Sequence, residues 1–365
     1  MSRLKIGAIS VVPSPYQRDI FRALGARPDI DLNVYYLEKA APDSPWPELP
    51  LEPYETILPG RWFSIANARF HVVTRFPPLQ DYRFVILNSL TSTLAQSLMR
   101  FRPSGHRLLF WAEQLRPQTS FLRKSIQKHL AAPIGNTDAI IAIGSLAETS
   151  YKRAFPQLTH FNIPYYCNLE SFFDRPAKPP APGNEVTFLF CGQMIARKGV
   201  DLLVAAFSRL VDRGLRARLL LVGRRADLDW ALTFCSERSR HLIEYRGFSD
   251  PKCLPELFSE ANVFVLPSRY DGWGVVVNQA LGAGLPLICS DAVGAAFDLV
   301  QENVNGFQVP AGSVDALAGA MEVFLRNPEL LAKFGAASRK LAKEWTPAHG
   351  AEKWVSALKH LDQKG

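Results

Sequence analysis

No stretch of the 365-residue sequence approaches the roughly 20 consecutive apolar residues needed to cross a bilayer, so any membrane contact is expected at the surface only. The N-terminal MSRLKIGAISVVPSPYQRD is not expected to act as a secretory leader. Pro13 and Pro15 cut its apolar run short, and no small-residue cleavage site follows. Cysteine is scarce and scattered. Cys167, Cys191, Cys235, Cys253 and Cys289 are odd in number and form no CxxC pair, which argues against a disulfide framework or a zinc site and for a reducing cytoplasm. Missing too are GxGxxG and GxxxxGK[ST] at a strand-to-helix turn, and HExxH and GxSxG anywhere. The common dinucleotide, P-loop, zinc-protease and serine-hydrolase signatures are thereby excluded.

What is present describes a globular chain. With 47% hydrophobic and 21% charged residues, it can bury a sizeable core and is expected to form two domains. Forty-two Lys+Arg against thirty-four Asp+Glu leave a formal charge of +8, which suits nucleotides, phosphorylated substrates, nucleic acid or an anionic membrane. The charge is spread along the chain with no nucleic-acid-reading motif, so no nucleic-acid partner is expected.

Short, continuous apolar runs alternate with helix-compatible stretches. LKIGAISVV, DLNVYYL, FVILNS, RLLFWAE and AIIAIG read as buried parallel strands, and RDIFRALGARP and SLAETSYKRAF as crossover helices. Between Pro42 and Pro78, prolines and aromatics leave no element assignable. RPAKPPAPGN, residues 175–184, is a linker by its prolines. After it EVTFLFCG, ARLLLVG, HLIEYRG, NVFVLPS and LPLICS restart the alternation, with helices at VDLLVAAFSRLVDRG, LPELFSEA, VVVNQALGAG and SVDALAGAMEVFL. The expected fold is α/β, with two Rossmann-like doubly wound parallel-sheet domains facing a central cleft. The expected boundaries are 1–174, the linker 175–184 and 185–344, with a terminal helix at about 345–365 packing back on the first domain.

Three turns at carboxyl strand ends mix glycine with charge: CGQMIARKG, GRRAD and PSRYDGWG. In the last, Gly272 and Gly274 uncover the backbone where a helix begins, a favourable place for an anion such as a diphosphate. Asp271 could accept hydrogen bonds from sugar hydroxyls beside that anion, and Gln279, two turns on, could meet a second group of hydroxyls. On chemistry alone, Asp271 as a plain helix cap and Gln279 as a solvated helix residue are an equal alternative. Lys198 leaves the same sheet edge and could reach the same anion. Between Arg100 and Lys128 stand seven Lys/Arg and one acid. Taken as a helix, FLRKSIQKHL puts Phe121, Leu122, Ile126 and Leu130 on one side and Arg123, Lys124 and Lys128 on the other. This is either an ordinary surface helix packing its apolar side on the sheet, or a surface for an anionic membrane or a lipid-pyrophosphate acceptor.

The segments FLFCGQMIARKGVDLLVAAF, LLLVGRR, YRGF, ANVFVLPSRYDGWGVVVNQALGAGLPLICSDAVGAAFDLV and VNGFQVPAGSVDALAGAM stand in the order and spacing of a known family. This half of the chain resembles the retaining glycosyltransferases of family 4, with the GT-B fold. PSPYQRDIFRAL and DLNVYYLE are similar less specifically. The resemblance implies a metal-independent transferase that moves a hexose from a nucleotide diphosphate sugar to a glycan or lipid-linked acceptor in polysaccharide or lipopolysaccharide biosynthesis. It needs no cofactor beyond that donor substrate, and it would be cytoplasmic or peripheral on the inner face of the membrane.

Residue by residue, the resemblance assigns Lys198 to the donor diphosphate, with Gly272, Trp273, Gly274 and Val275 forming the phosphate-binding helix start. Asp271 stands where the family has the first Glu of its E-x7-E pair, against the donor sugar. Gln279 stands at the second, against the ribose, and Gln193 stands at a frequent Arg beside the diphosphate. Arg197 could replace that missing charge. On the acceptor side the resemblance points to Tyr16, Arg18 and Glu113, the last where many relatives have a His, and it makes Asp271, Lys198 and Glu113 the catalytic set; that Glu113 simply pairs with Arg116 or another nearby base is an equal alternative. Gln193 and Gln279 for charged residues also fit a catalytically silent scaffold, and a nucleotide-sugar epimerase would bind the same donor.

Overall fold

The computed structural model describes residues 3–40, 50–65, 68–118, 120–177, 180 and 185–363. The chain divides into two compact units, Met1–Tyr166 with Pro347–Gly365, and Cys167–Thr346.

In the first unit the strands are β1 (Leu4–Ser10), β2 (Ile30–Tyr36), β3 (Glu55–Ile57), β4 (Gly60–Ile65), β5 (Ala68–Val73), β6 (Phe84–Leu87), β7 (Arg107–Ala112), β8 (Ala139–Ala142) and β9 (Thr159–Asn162). Seven of them form one parallel sheet in the order β3-β2-β1-β6-β7-β8-β9, and β4 and β5 pair apart from it as an antiparallel ribbon. Every residue of β6 and β8 is buried, as strands covered by helices on both faces require. At one end of this core Trp111 meets Phe21, Tyr165 and Trp354 in edge-on ring contacts. Trp354 comes from the terminal helix Pro347–Gln363. That helix lies so close that a Cβ on Gly350 would stand 2.5 Å from the Ile20 side chain. The residues between Pro42 and Pro78 hold three strands that the sequence pattern does not reveal. In β4 every residue is exposed, so burial imposes no alternation there.

The second unit contains β10 (Val186–Cys191), β11 (Ala217–Val222), β12 (Ile243–Tyr245), β13 (Val263–Leu266), β14 (Leu287–Ser290) and β15 (Gly306–Val309), parallel throughout, in the order β12-β11-β10-β13-β14-β15. This is the doubly wound order whose direction reverses between the first and fourth strands. The helix Val200–Asp212 buries Leu203, Phe207 and Leu210 on one side, as its spacing predicts, and ends ahead of Gly214 in the left-handed region.

The divide between units falls at Tyr166 and Cys167, ahead of the proline-rich stretch. The reason is local. Phe172, on the short helix Glu170–Phe173, packs edge-on against Phe258, and a Cβ on Gly282 would stand 3.1 Å from Leu169, so this segment is core of the second unit. Of the expected linker, 178–179 and 181–184 lie outside the described residues.

Candidate active site

Open α/β sheets bind ligands outside the carboxyl ends of their strands, where the order reverses. In the second sheet that point lies between β10 and β13, and the loops leaving these two strands carry CGQMIARKG and PSRYDGWG. The loops touch along their backbones. Gly199 has φ +73°, and a Cβ there would stand 2.1 Å from the carbonyl of Pro267. The Arg269 backbone N–H donates to the Arg197 carbonyl at 2.8 Å, and its guanidinium grips both oxygens of Asp201 at 2.8 and 2.6 Å. The Arg197 guanidinium donates to the Tyr270 carbonyl at 2.9 Å, so its bonded end secures the second loop. A third segment closes the frame: Gly294 N–H donates to the Asp271 carbonyl, and a Cβ on Gly294 would lie 2.2 Å from the Gly272 oxygen.

In this frame Lys198 Nζ donates directly to Asp271 Oδ2, and both side chains are largely buried. Burial pushes the Cys191 thiol up to about 12, with Lys198 pulling the other way, and raises the Cys289 thiol as well, with Asp271 adding to the effect. Neither cysteine offers a thiolate at neutral pH.

Next to the pair, the chain turns through Gly274 at φ +93° into the helix Val276–Ala283. The first-turn N–H groups of a helix have no intrahelical acceptor, and its positive end favours an anion. The turn is braced from inside. Trp273 is fully buried, donates its indole N–H to Asn278 Oδ1 at 2.8 Å and stacks on Trp345. Of the polar pair within this helix, Asn278 is thus a structural brace. Gln279 is half-buried, and neither it nor Gln193 makes a side-chain hydrogen bond among the described residues. The structure therefore brings together Lys198, Asp271, Gly272, Trp273, Gly274 and Val275, with Arg197 fastening the loops.

A cavity of about 360 Å³ adjoins the loop after β10, lined by Ala196, Ala226, Asp227, Asp229 and Trp230. The GRRAD turn that builds it was visible in sequence as an oddity. Its key residue, Ala226 at φ +37°, carried no signal, because alanine does not advertise a left-handed backbone.

The first unit has its own reversal, between β1 and β6, and a cavity of about 310 Å³ there is lined by Ser10, Tyr16, Gln17, Asn88, Glu113 and Tyr165, among others. Ser10 Oγ donates to Gln17 Oε1 at 2.8 Å, and Gln17 Nε2 donates to Asn88 Oδ1 at 2.9 Å. Tyr16 and Tyr165 set their rings 4.6 Å apart, and Ser14 Oγ is buried at the same cavity with no partner among the described residues. Glu113 and Tyr16 are at this cavity, but Arg18 is not. Its side chain is fully buried, gripping Glu55 through Nε at 2.9 Å and Nη2 at 2.7 Å, with Nη2 also donating to the Pro50 carbonyl. The expectation that Arg18 faces an acceptor is corrected: the nearest acid claims it. Gln17 and Asn88 were missed because their signal is only a polar residue at a strand end or in a first helical turn.

Residues 172–341 match the family described as Glycosyl transferases group 1. The chain is 30% identical over 145 residues to the alpha-D-kanosaminyltransferase of Streptomyces kanamyceticus, covering 39% of this chain and 37% of that protein. It is 28% identical over 228 residues to the GDP-mannose-dependent alpha-(1-6)-phosphatidylinositol monomannoside mannosyltransferase of Mycobacterium tuberculosis, covering 58% of each. It thus spans less than two thirds of the length of these relatives. Among solved structures, sucrose-phosphate synthase from Thermosynechococcus elongatus superposes with a TM-score of 0.73 at 21% identity over 100% of both chains. A lipopolysaccharide outer core galactosyltransferase superposes with 0.73 at 13% identity over 98% of this chain and 99% of that one. The two Rossmann-like sheets are those of the GT-B fold, and residues 172–341, within the second unit, match the glycosyl transferases group 1 family.

Proposed function

We propose that the chain is a retaining glycosyltransferase that moves a hexose from a nucleoside diphosphate sugar to a hydroxyl of a glycan or lipid-linked acceptor, without a metal ion. The observation that carries this is the Lys198–Asp271 pair beside the start of the helix Val276–Ala283. A sugar nucleotide carries its diphosphate and its sugar hydroxyls on either side of one glycosyl–phosphate bond. An ammonium and a carboxylate side by side match those two neighbours: Lys198 with the helix N–H groups takes the phosphate oxygens, and Asp271 takes the hydroxyls.

In the reaction the bond from the anomeric carbon to the phosphate oxygen breaks and the bond to the acceptor oxygen forms on the same face. The acceptor proton passes to the departing phosphate. The charge that develops on the diphosphate falls on Lys198 and the helix start, and fixed donors of this kind contribute about 3–4 kcal/mol each. No protein nucleophile is needed, and neither Cys191 nor Cys289 is ionised to serve as one. Gln279 takes the ribose through its amide, and Gln193 lies beside the diphosphate. Glu113, with the amide and hydroxyl network of Ser10, Gln17 and Asn88, receives the acceptor hydroxyls. Five thiols and no disulfide fit the cytoplasm as the compartment.

A thermal-shift panel of UDP, GDP, ADP and their sugars tests this. One nucleoside diphosphate should raise the melting temperature, and EDTA should leave that rise unchanged. A rise that EDTA abolishes contradicts the metal-free mechanism, and no rise with any of them contradicts donor binding. A rise without turnover of any sugar nucleotide favours a silent scaffold, the reading that Gln193 and Gln279 support.

A further inference from the structure

The helix Phe121–Ala131 takes no part in the proposed reaction, and its environment is unusual. An ordinary surface helix would turn Phe121, Leu122 and Ile126 onto the sheet. Instead Phe121 is 88% exposed, Leu122 67% and Ile126 42%, and Ala131 is the only buried residue of the helix. The helix is tied down through a few polar bonds: Gln127 Nε2 donates to the Arg116 carbonyl and Gln96 Nε2 to the Leu130 carbonyl, both at 2.9 Å. The Arg100 guanidinium reaches the His129 carbonyl at 3.5 Å, which brings the end of the helix Thr93–Phe101 alongside. The next residue, Phe101, is 81% exposed. Two phenylalanines, a leucine and an isoleucine therefore stand in water on neighbouring helices of one unit.

The charges on the helix Phe121–Ala131 itself are of one sign. Arg123, Lys124 and Lys128 have no acidic partner among the described residues, and the helix itself contains no acid. Exposed apolar side chains flanked by cations without an acidic partner, on a helix with one buried residue, match the interface of an anionic bilayer. There the apolar groups enter the boundary between headgroups and acyl chains while long basic side chains keep their heads among the phosphates. We propose that Phe121–Ala131, with Phe101 beside it, docks the first unit on an anionic lipid surface. Phe101, Phe121, Leu122 and Ile126 insert, and Arg123, Lys124 and Lys128 bind the lipid phosphates. The proposal is independent of the donor chemistry and goes beyond it.

The test uses the full chain and vesicles of phosphatidylcholine with or without phosphatidylglycerol. Co-sedimentation should require phosphatidylglycerol. Arg123→Glu with Lys124→Glu should lower the partition coefficient at least about tenfold, since each basic residue near an anionic surface contributes about 1 kcal/mol. Phe121→Ser with Leu122→Ser should lower it too, and what binding is left should vanish as salt rises, whereas the parent keeps an apolar component. Phe121→Trp gives a local probe whose emission should shift to the blue on phosphatidylglycerol vesicles. All these positions are exposed, so the variants should keep the parent's melting temperature. Several results would overturn the proposal: no sedimentation of the parent, equal binding to neutral vesicles, or both double variants binding like the parent. A parent dimer that Phe121→Ser with Leu122→Ser dissolves would assign the patch to a second copy of the chain instead.

Discussion

Arg18 and Lys198 are both basic residues that each pair with an acid, and the structure sets the two pairs in opposite surroundings. Arg18 is sealed against Glu55, which also accepts the Tyr36 hydroxyl at 2.8 Å and the Glu52 N–H at 2.8 Å. Lys198 meets one carboxylate in a frame with an uncapped helix start beside it. The sequence brings Lys198 and Asp271 to one place, because their glycine-bearing loops leave one sheet edge, and in the structure the two side chains pair. It cannot show Arg18, because Glu55 lies in a stretch where no pattern reveals a strand. Removing one partner of a buried ion pair costs about 3–5 kcal/mol, since the other charge is left in a low dielectric. Arg18→Met should therefore lower the unfolding free energy by about that much in urea titrations, and Arg18→Met with Glu55→Leu should recover part of it. A single variant as stable as the parent would mean that Arg18 is free for an acceptor after all.

Among elements, the strands that sequence reveals are those buried on both faces, such as FVIL and AIIA, where an unbroken apolar run has no other explanation. Strands β4, β9 and β15 escape because they carry polar or half-exposed positions that no period organises. The glycines at the site were visible as residues, but not the distances that require them. Gly199 and Gly312 both have positive φ, at +73° and +86°, yet only Gly199 faces a neighbouring carbonyl, and Gly312 faces open space. Gly312→Ala should cost about 1–2 kcal/mol, the left-handed strain alone. Gly199→Ala should cost clearly more and weaken donor binding, because the loops carrying Lys198 and Asp271 must separate. Equal melting temperatures for the two variants would show that the loops are not held by that contact.

On the scale of the molecule, two sheets of the same handed order each place a polar site at their reversal, and alternation of strands and helices is enough to read that from sequence. The boundary is less legible. Prolines catch the eye in the sequence, whereas contacts of Leu169 and Phe172 place the segment ahead of the prolines in the core of the second unit. The central claim is that the Lys198–Asp271 pair divides a sugar nucleotide between its two side chains, and calorimetry on Asp271→Asn tests it most directly. Without the carboxylate, Lys198 loses its resident partner, so the bare nucleoside diphosphate should bind at least as well as to the parent. The full sugar nucleotide loses hydrogen bonds to a charged acceptor, each worth about 1.5–3 kcal/mol, so it should bind about ten- to a hundredfold more weakly. If Asp271→Asn weakens the diphosphate and the sugar nucleotide by the same factor, the pair only holds the loop in shape, and the account of the site is wrong.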